Sequence, residues 1–322
     1  MSTKQGRNDS CPVNELMAQT SVPVNPAKIR RGMEQMLGNI GKVIESKNLS
    51  MEEANQYLQS LMGRKMDDIN AEFQDREDLS DRDRAQILMD DAFEEDRSSQ
   101  RRKIIQQALK LYPHLPDAWI MLGEDSRTPE EALSCFERAV EAGEKDLGEE
   151  FFKENEGHFW GMTESRPYMR AKASLADFLW ELGREKEAIT HYQDCLRLNP
   201  KDNQGLRDVL VNCLLIKNEL DEVEKILRRY KNDFGAFHAF NKALFLFKKQ
   251  GSESKKAVKQ IVVAVQGNVH VPKYLLGKSK LPPWRPDSYS LGSREEAVIY
   301  VDEALRAWKE TPGALLWLDQ MQ

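Results

Sequence analysis

Hydrophobic positions along most of the chain recur every three or four residues, which is the spacing of one face of an amphipathic helix. The first such segment runs from Ile29 to Ile44, and Ser50-Met51-Glu52-Glu53 has the form of a capping box that opens a second helix. Ile261 to Val265 is rich in β-branched residues but lies in a helical frame, so we expect a buried helix there. Because strand-like alternation is almost absent, the pattern predicts an all-α protein.

An internal repeat is the strongest feature of the pattern. In the segment that ends at Pro200, two helical stretches flank a turn at Gly183. Ala176 and Ala188 are small where the two helices would touch, and Tyr192 is large, a combination that lets paired helices pack closely. The frame recurs downstream with degenerate small positions. Since stacked units bury a core that one unit alone cannot, we predict four or five units between residues 85 and 266.

These positions resemble the tetratricopeptide-repeat (TPR) consensus. The residues that carry the resemblance are Ala132, Phe136, Ala139, Ala176, Gly183, Ala188, Tyr192 and Pro200. The resemblance implies a TPR-type α-solenoid of antiparallel helix pairs, with a concave side that binds extended peptides or helices.

Three segments resemble something narrower than generic repeats: Glu154–Arg170, Leu198–Gly205 and Trp308–Leu318. They are similar to a group of TPR proteins that in bacteria often carry a SEC-C zinc motif and in fungi a MYND-type zinc finger. They also have a more distant likeness to the suppressor-of-tumorigenicity-seven family. The resemblance covers roughly residues 85–320 and implies no particular activity.

The start of the chain is similar to the opening of a SEC-C motif, at Gly6-Arg7-Asn8-Asp9-Ser10-Cys11-Pro12. Val13 stands where the motif has its second cysteine, and one cysteine cannot form a tetrahedral zinc site. We therefore predict no metal. Cys135, Cys195 and Cys213 form no C-x-x-C pair, and we expect them to be small buried apolar residues.

The patterns divide the chain into four parts. We predict a disordered tail at 1–25, an N-terminal helical segment at 26–84, the solenoid at 85–266, and an extended arm with capping helices at 267–322. Within the last part, Ser293-Arg294-Glu295-Glu296 is read as a capping box and Thr311-Pro312 as the start of a final helix.

Composition narrows the function. The net charge of −6 and the pI of about 5.6 argue against a duplex nucleic-acid binder, which usually concentrates basic residues. The chain has no apolar run long enough for a membrane span, and its first residues lack the apolar core of a secretory signal. We therefore expect a cytoplasmic protein with no membrane partner.

The candidate partner-binding residues lie on the predicted concave side and in the polar segment before it. They are Glu156, His158, Arg166, Arg170, Asp177, Glu181, Gln204 and Arg207. The polar segment has a second interpretation, in which Phe159 and Trp160 plug a gap between repeats and the segment is structural. The sequence leaves both open.

We predict a non-enzymatic protein–protein interaction scaffold without a cofactor, since no P-loop, G-x-G-x-x-G or metal-binding histidine spacing is present. One alternative is a nucleic-acid- or ribosome-associated adapter that uses the basic and aromatic arm at 273–285. Another is an unrecognised hydrolase centred on 154–170, with Glu156 or Glu164 as base and His158 as its partner. The sequence names neither the partner nor the oligomeric state.

Overall fold

The computed structural model describes residues 26–74 and 79–321, and within these ranges it contains sixteen α-helices, one 3₁₀ turn and no strand. The prediction of an all-α protein is confirmed. The chain divides into two compact units between Asp78 and Leu79. The predicted tail with Cys11 lies outside the described residues.

The first unit contains three helices: α1 (Pro26–Ser46), α2 (Met51–Leu61) and α3 (Met66–Gln74). Its small core includes Ile40, Leu61 and Ile69. The predicted capping box at the start of α2 is present, because the side chains of Ser50 and Glu53 each accept from the other's backbone N–H.

The second unit is a series of helix pairs followed by three further helices. The pairs are α4 (Asp81–Glu94) with α5 (Ser98–Leu111), α6 (Pro116–Glu124) with α7 (Pro129–Asn155), α8 (Arg166–Glu181) with α9 (Glu185–Leu198), α10 (Leu206–Ile216) with α11 (Leu220–Arg229), and α12 (Ala236–Gln250) with α13 (Lys255–Gly267). The remaining helices are α14 (Val271–Leu275), α15 (Arg294–Lys309) and α16 (Ala314–Gln320). The two helices of each pair pack together, and each second helix from α5 to α11 packs on the next first helix. This is a helical repeat-like fold.

The predicted repeat positions are those at which helices meet. Ala176 and Ala188 are completely buried between α8 and α9, and Tyr192 is 1% exposed beside them. Gly183 adopts a φ of 75° in the turn, a conformation that residues with a side chain rarely take. Ala132, Phe136 and Ala139 are buried in the preceding pair in the same way.

One helix is bent, and one helix boundary differs from the prediction. Helix α7 runs to Asn155 and bends at Gly148, which has φ 75° and ψ 158°. The last helix begins at Ala314 and not at Pro312, because Gly313 takes a left-handed conformation with φ 80° at its N-cap.

Helix α15 does not extend the row of pairs. We call the side formed by the first helices α4, α6, α8, α10 and α12 the inner face. Helix α15 packs on α10 and α12 at this face, and its Tyr300, Val301, Ala304 and Trp308 are completely buried. The segment predicted as a terminal cap therefore covers the C-terminal part of the inner face.

The cysteine prediction is confirmed for two residues. Cys195 and Cys213 are buried, and burial raises the pKa of each thiol to about 12, so neither is a reactive thiolate. Cys135 is half-buried, and burial raises the pKa of its thiol as well.

The close contact of α7 with α8 can be tested at Gly143. A β-carbon there would lie 2.8 Å from Cδ2 and 2.9 Å from Cβ of Tyr168. Because Tyr168 is buried and its Cβ is fixed to the backbone, we expect Gly143→Ala to lower the free energy of unfolding by about 1–3 kcal/mol in urea titrations. Gly267→Ala is the control, since no atom lies within 4 Å of its added carbon and alanine is the better helix former. Equal stability of the two variants would contradict the close contact.

Candidate partner-binding site on the inner face

Helix α15 is fastened to the inner face at its first turn by Glu296, which is 1% exposed. Its carboxylate accepts the backbone N–H of Ala236 at 2.8 Å, the N–H of Gly292 at 2.7 Å and Nδ2 of Asn268 at 2.9 Å. Ala236 is the first residue of α12, so the negative charge also lies at the positive end of that helix. Ser293 caps α15 as predicted, but the Glu296 side chain joins α15 to α12 and α13.

The middle of α15 is held by aromatic side chains whose polar atoms are paired. Nε1 of Trp308 donates to the hydroxyl of Tyr300 at 2.8 Å, and that hydroxyl donates to Oδ1 of Asn241 on α12 at 3.1 Å. Phe237 and Phe240 of α12 pack on the Tyr300 ring at centroid distances of 5.2 and 5.5 Å. Aromatic groups that are fully buried in this way contribute several kcal/mol each to a packed interface.

The end of α15 reaches the pair α8–α9. The Arg306 guanidinium lies 5.3 Å from the centroid of the Trp180 ring and 3.1 Å from a carboxylate oxygen of Glu185. These contacts mark where the covered part of the inner face ends, so Trp180 lies at the border between covered and open surface.

Asp177 and Glu181 lie one turn apart on α8 beside this border, and both are exposed. The hydroxyl of Tyr192 donates to Asp177 at 2.5 Å. The pKa of Asp177 is raised by desolvation and also by the negative charge of Glu181.

Further carboxylates of α10 and α15 continue this acidic surface. Burial raises the pKa of Glu303, and the nearby Asp302 and Asp177 raise it further, against the stabilising effect of Arg285. Arg285 contacts both Glu303 and Asp302. Asp208 on α10 lies 3.8 Å from Arg207. Its pKa is raised to about 7 by desolvation, against the lowering effect of Arg207, and neighbouring carboxylates that include Glu303 raise it further. Five acidic residues from three helices therefore lie close together here.

Three predicted partner-binding residues hold the helices together. Arg170 on α8 forms a bidentate ion pair with Asp117 on α6, at 2.9 and 2.6 Å. Nε2 of Gln204 donates to the carbonyl of Met169 at 3.2 Å. Arg207 forms ion pairs with Asp202 at 2.8 Å and with Asp233 at 2.5 Å. The side chains of Asp177 and Glu181 are, by contrast, exposed on the inner face.

The segment 154–170 is packed by its aromatic residues. Phe159 is completely buried against the rings of Phe151, Phe152 and Tyr168. Ser165 donates to the Phe159 carbonyl, which closes the 3₁₀ turn Phe159–Gly161 onto the start of α8. These contacts favour the structural interpretation of the segment.

Two polar residues of this segment, Arg166 and Glu156, also make contacts within the protein. Nε of Arg166 donates to the Trp160 carbonyl at 3.0 Å, and Glu156 pairs with Arg197 on α9 at 2.9 Å. His158 is exposed. The eight predicted partner-binding residues therefore do not form one site. Glu156 pairs with the second helix α9, whereas Asp177 lies on the first helix α8.

The arm at 273–285 carries less free positive charge than its sequence suggests. Lys278 pairs with Asp319 at 2.6 Å, and Arg285 pairs with the acidic residues of α15. Tyr274 is 5% exposed and belongs to the core, whereas Trp284 is exposed.

No group of three or more His, Cys, Asp or Glu side chains among the described residues is placed to hold a metal ion. No helix in the described ranges is long and apolar enough to cross a membrane.

Fold and inner face define the class: an all-helical, repeat-like protein whose inner face is partly covered by its own chain. Residues 62–321 match the family described as ST7 protein, and the chain belongs to this family. The more distant of the two likenesses in the sequence is thereby confirmed, whereas the likeness to TPR proteins with zinc motifs stays a prediction.

Relatives in mammals are similar along much of the chain. The suppressor of tumorigenicity 7 protein-like of Rattus norvegicus is 26% identical over 259 residues, which cover 71% of this chain and 44% of that protein, and the values for Mus musculus are the same. The suppressor of tumorigenicity 7 protein of Macaca fascicularis is 27% identical over 230 residues, covering 64% of this chain and 43% of that protein. The chain spans less than half the length of these relatives.

The attachment of α15 can be tested at Glu296. Glu296→Ala leaves the N–H groups of Ala236 and Gly292 and the Asn268 amide without their acceptor, so we expect a loss of roughly 3–5 kcal/mol in the free energy of unfolding. Glu295→Ala, at the exposed neighbouring position, should cost only about 0.5 kcal/mol through the helix dipole. Similar urea midpoints for both variants would mean that Glu296 does not fasten α15.

Asp208 should make stability depend on pH. Its folded pKa of about 7 lies above the value of about 3.9 for an unfolded aspartate, so its stabilising contribution is complete below about pH 4 and is lost as pH rises through 7. Asp208→Asn removes this loss. The urea midpoint of the variant should therefore exceed that of wild type by a margin that grows between pH 5 and pH 8.

The control for this effect is Asp221→Asn, whose side chain is 93% exposed. Its margin over wild type should stay constant across the same pH range. A constant margin for Asp208→Asn as well would show that the Asp208 carboxyl is ionised in the folded protein throughout.

Proposed function

We propose that this protein is a non-enzymatic interaction scaffold. In this proposal its helix pairs are TPR units, and it binds a peptide or helix of a partner protein on the open part of the inner face, beside α15. Asp177 and Glu181 are the residues of the predicted set that we expect the partner to contact.

The observation that carries the proposal is the position of α15. A helix already packs on the inner face at α10 and α12, with aromatic side chains buried and backbone groups paired. A surface that accepts a helix from its own chain has the width and the pattern of small and apolar residues that a partner's helix needs. The neighbouring first helices α6 and α8 contact each other and extend the same face.

Electrostatics indicate the kind of partner. The open surface carries Asp177 and Glu181, with Asp208, Asp302 and Glu303 nearby, whereas Arg170 and Arg207 are used in ion pairs within the protein. A partner segment with Lys or Arg side chains would offset the repulsion from Glu181, which adds to desolvation in raising the pKa of Asp177. An acidic peptide would increase it.

We do not extend the proposal to nucleic-acid binding or hydrolysis. Lys278 and Arg285 of the arm are paired with acidic residues, and Glu156 of the 154–170 segment is paired with Arg197. No observation favours either alternative over the scaffold.

We also propose that the protein is cytoplasmic. Its two buried free thiols, Cys195 and Cys213, suit the reducing conditions of that compartment.

The test is an affinity pull-down from host extract with identification by mass spectrometry, comparing wild type with Asp177→Asn/Glu181→Gln. The amide that replaces the Asp177 carboxylate keeps an oxygen that accepts from Tyr192, so the variant loses charge but no internal hydrogen bond. We expect one or more partners of the wild type to be depleted about tenfold.

The matched control is Glu137→Gln/Glu141→Gln, a pair of exposed carboxylates with the same spacing on the second helix α7. Its partners should equal those of the wild type. If the same proteins appear with all three baits, the inner face beside α15 is not where they bind.

A further inference from the structure

In the part of the chain that the structure describes, helix α13 is the last second helix, and no first helix follows it in the row. In the pair α8–α9, Ile189 and Leu196 of α9 are 6% and 5% exposed, and α9 packs on α10. In the repeat frame that aligns Ala188 with Ala257, their counterparts on α13 are Val258 and Val265. Both valines are only half-buried, since α15 lies on the inner face instead.

The exposed side of α13 is apolar where other second helices are polar. Val262 and Val263 are 38% and 50% exposed, and their counterparts on α9 are Gln193 and Asp194. Val258, Val262 and Val265 form a stripe with helical spacing along this side, and the exposed Val269 follows just after the helix ends. Solenoid ends that face water usually carry polar residues, so an exposed row of valines indicates a surface that is normally covered.

The same side of α13 is basic. Lys255, Lys256 and Lys259 are all exposed. The helix contains no acidic residue. We call the surface formed by these lysines and the valine stripe the end face.

We propose that the end face docks an acidic amphipathic helix of a separate protein. This helix would take the place of the first helix in a sixth pair, with apolar residues on the valines and Asp or Glu beside the lysines. A second copy using its own α13 is disfavoured, because the lysines of the two copies would repel each other. The surface is distinct from the inner face, so the proposal is independent of the function proposed above.

The test is a fluorescence-anisotropy titration of the full chain with two synthetic amphipathic helices of about four turns. Both peptides carry Leu and Ala on one side, and their polar positions are Glu in one peptide and Lys in its twin. We expect the Glu peptide to bind, and the Lys twin to bind at least about tenfold more weakly when Asp177→Asn/Glu181→Gln removes the acidic inner-face site proposed above. General charge attraction would give the opposite order, since the chain has a net charge of −6.

Two variants locate the binding. Lys255→Glu/Lys259→Glu should lower the affinity for the Glu peptide about tenfold, and Val262→Asn/Val263→Asn should lower it by a similar factor. Residue 255 is the first of α13, where glutamate suits the helix dipole, so this variant should fold. Lys186→Glu/Lys231→Glu is the control, because it reverses two exposed lysines away from α13.

Undiminished binding of the Glu peptide to both end-face variants would overturn the proposal, and so would equal binding of the two peptides to Asp177→Asn/Glu181→Gln. Asp177→Asn/Glu181→Gln should leave the affinity for the Glu peptide unchanged, so a failed inner-face hypothesis would not affect this result.

Sedimentation of the full chain tests whether a second copy occupies the end face. A dimer that dissociates when Lys255→Glu/Lys259→Glu is introduced would overturn the proposal of a separate partner and identify a second copy as the occupant.

Discussion

The close approach of paired helices at small residues is the constraint on which the rest of the structure depends. Ala176 and Ala188 are fully buried between α8 and α9, and Gly143 has no space for a β-carbon beside Tyr168. These contacts align the first helices along one side and so create the inner face. Larger residues at the same positions would separate the helices and leave no continuous surface.

The inner face then determines where the C-terminal segment packs. A further first helix on α13 would have lengthened the row, but α15 lies across α10 and α12. The position of α15 is fixed by specific polar contacts as well as by its buried apolar surface. Glu296 accepts hydrogen bonds from two backbone N–H groups, and Trp308 donates one to Tyr300. A buried carboxylate is tolerated only when such donors surround it, which makes this packing specific as well as stable.

The packing of α15 on the inner face leaves two open surfaces of opposite charge. The open inner face beside α15 is acidic, because the arginines expected there are paired within the protein. The end face of α13 is basic and apolar, and no first helix among the described residues covers it. Under the two proposals above, the two surfaces would bind different partners.

The sequence determined the local structure. Periodicity and capping residues predicted the helices, including the β-branched α13, and the small and large repeat positions predicted which helices pair, because these features act over a few residues. The path of α15 depends on contacts such as Glu296 with Ala236, across 60 residues, which no local pattern encodes. For the same reason Ser293-Arg294-Glu295-Glu296 was interpreted only as a cap, and Arg170 and Arg207 were predicted to face a partner. Whether a charged side chain is free or paired depends on distant residues, and only the tertiary structure decided it.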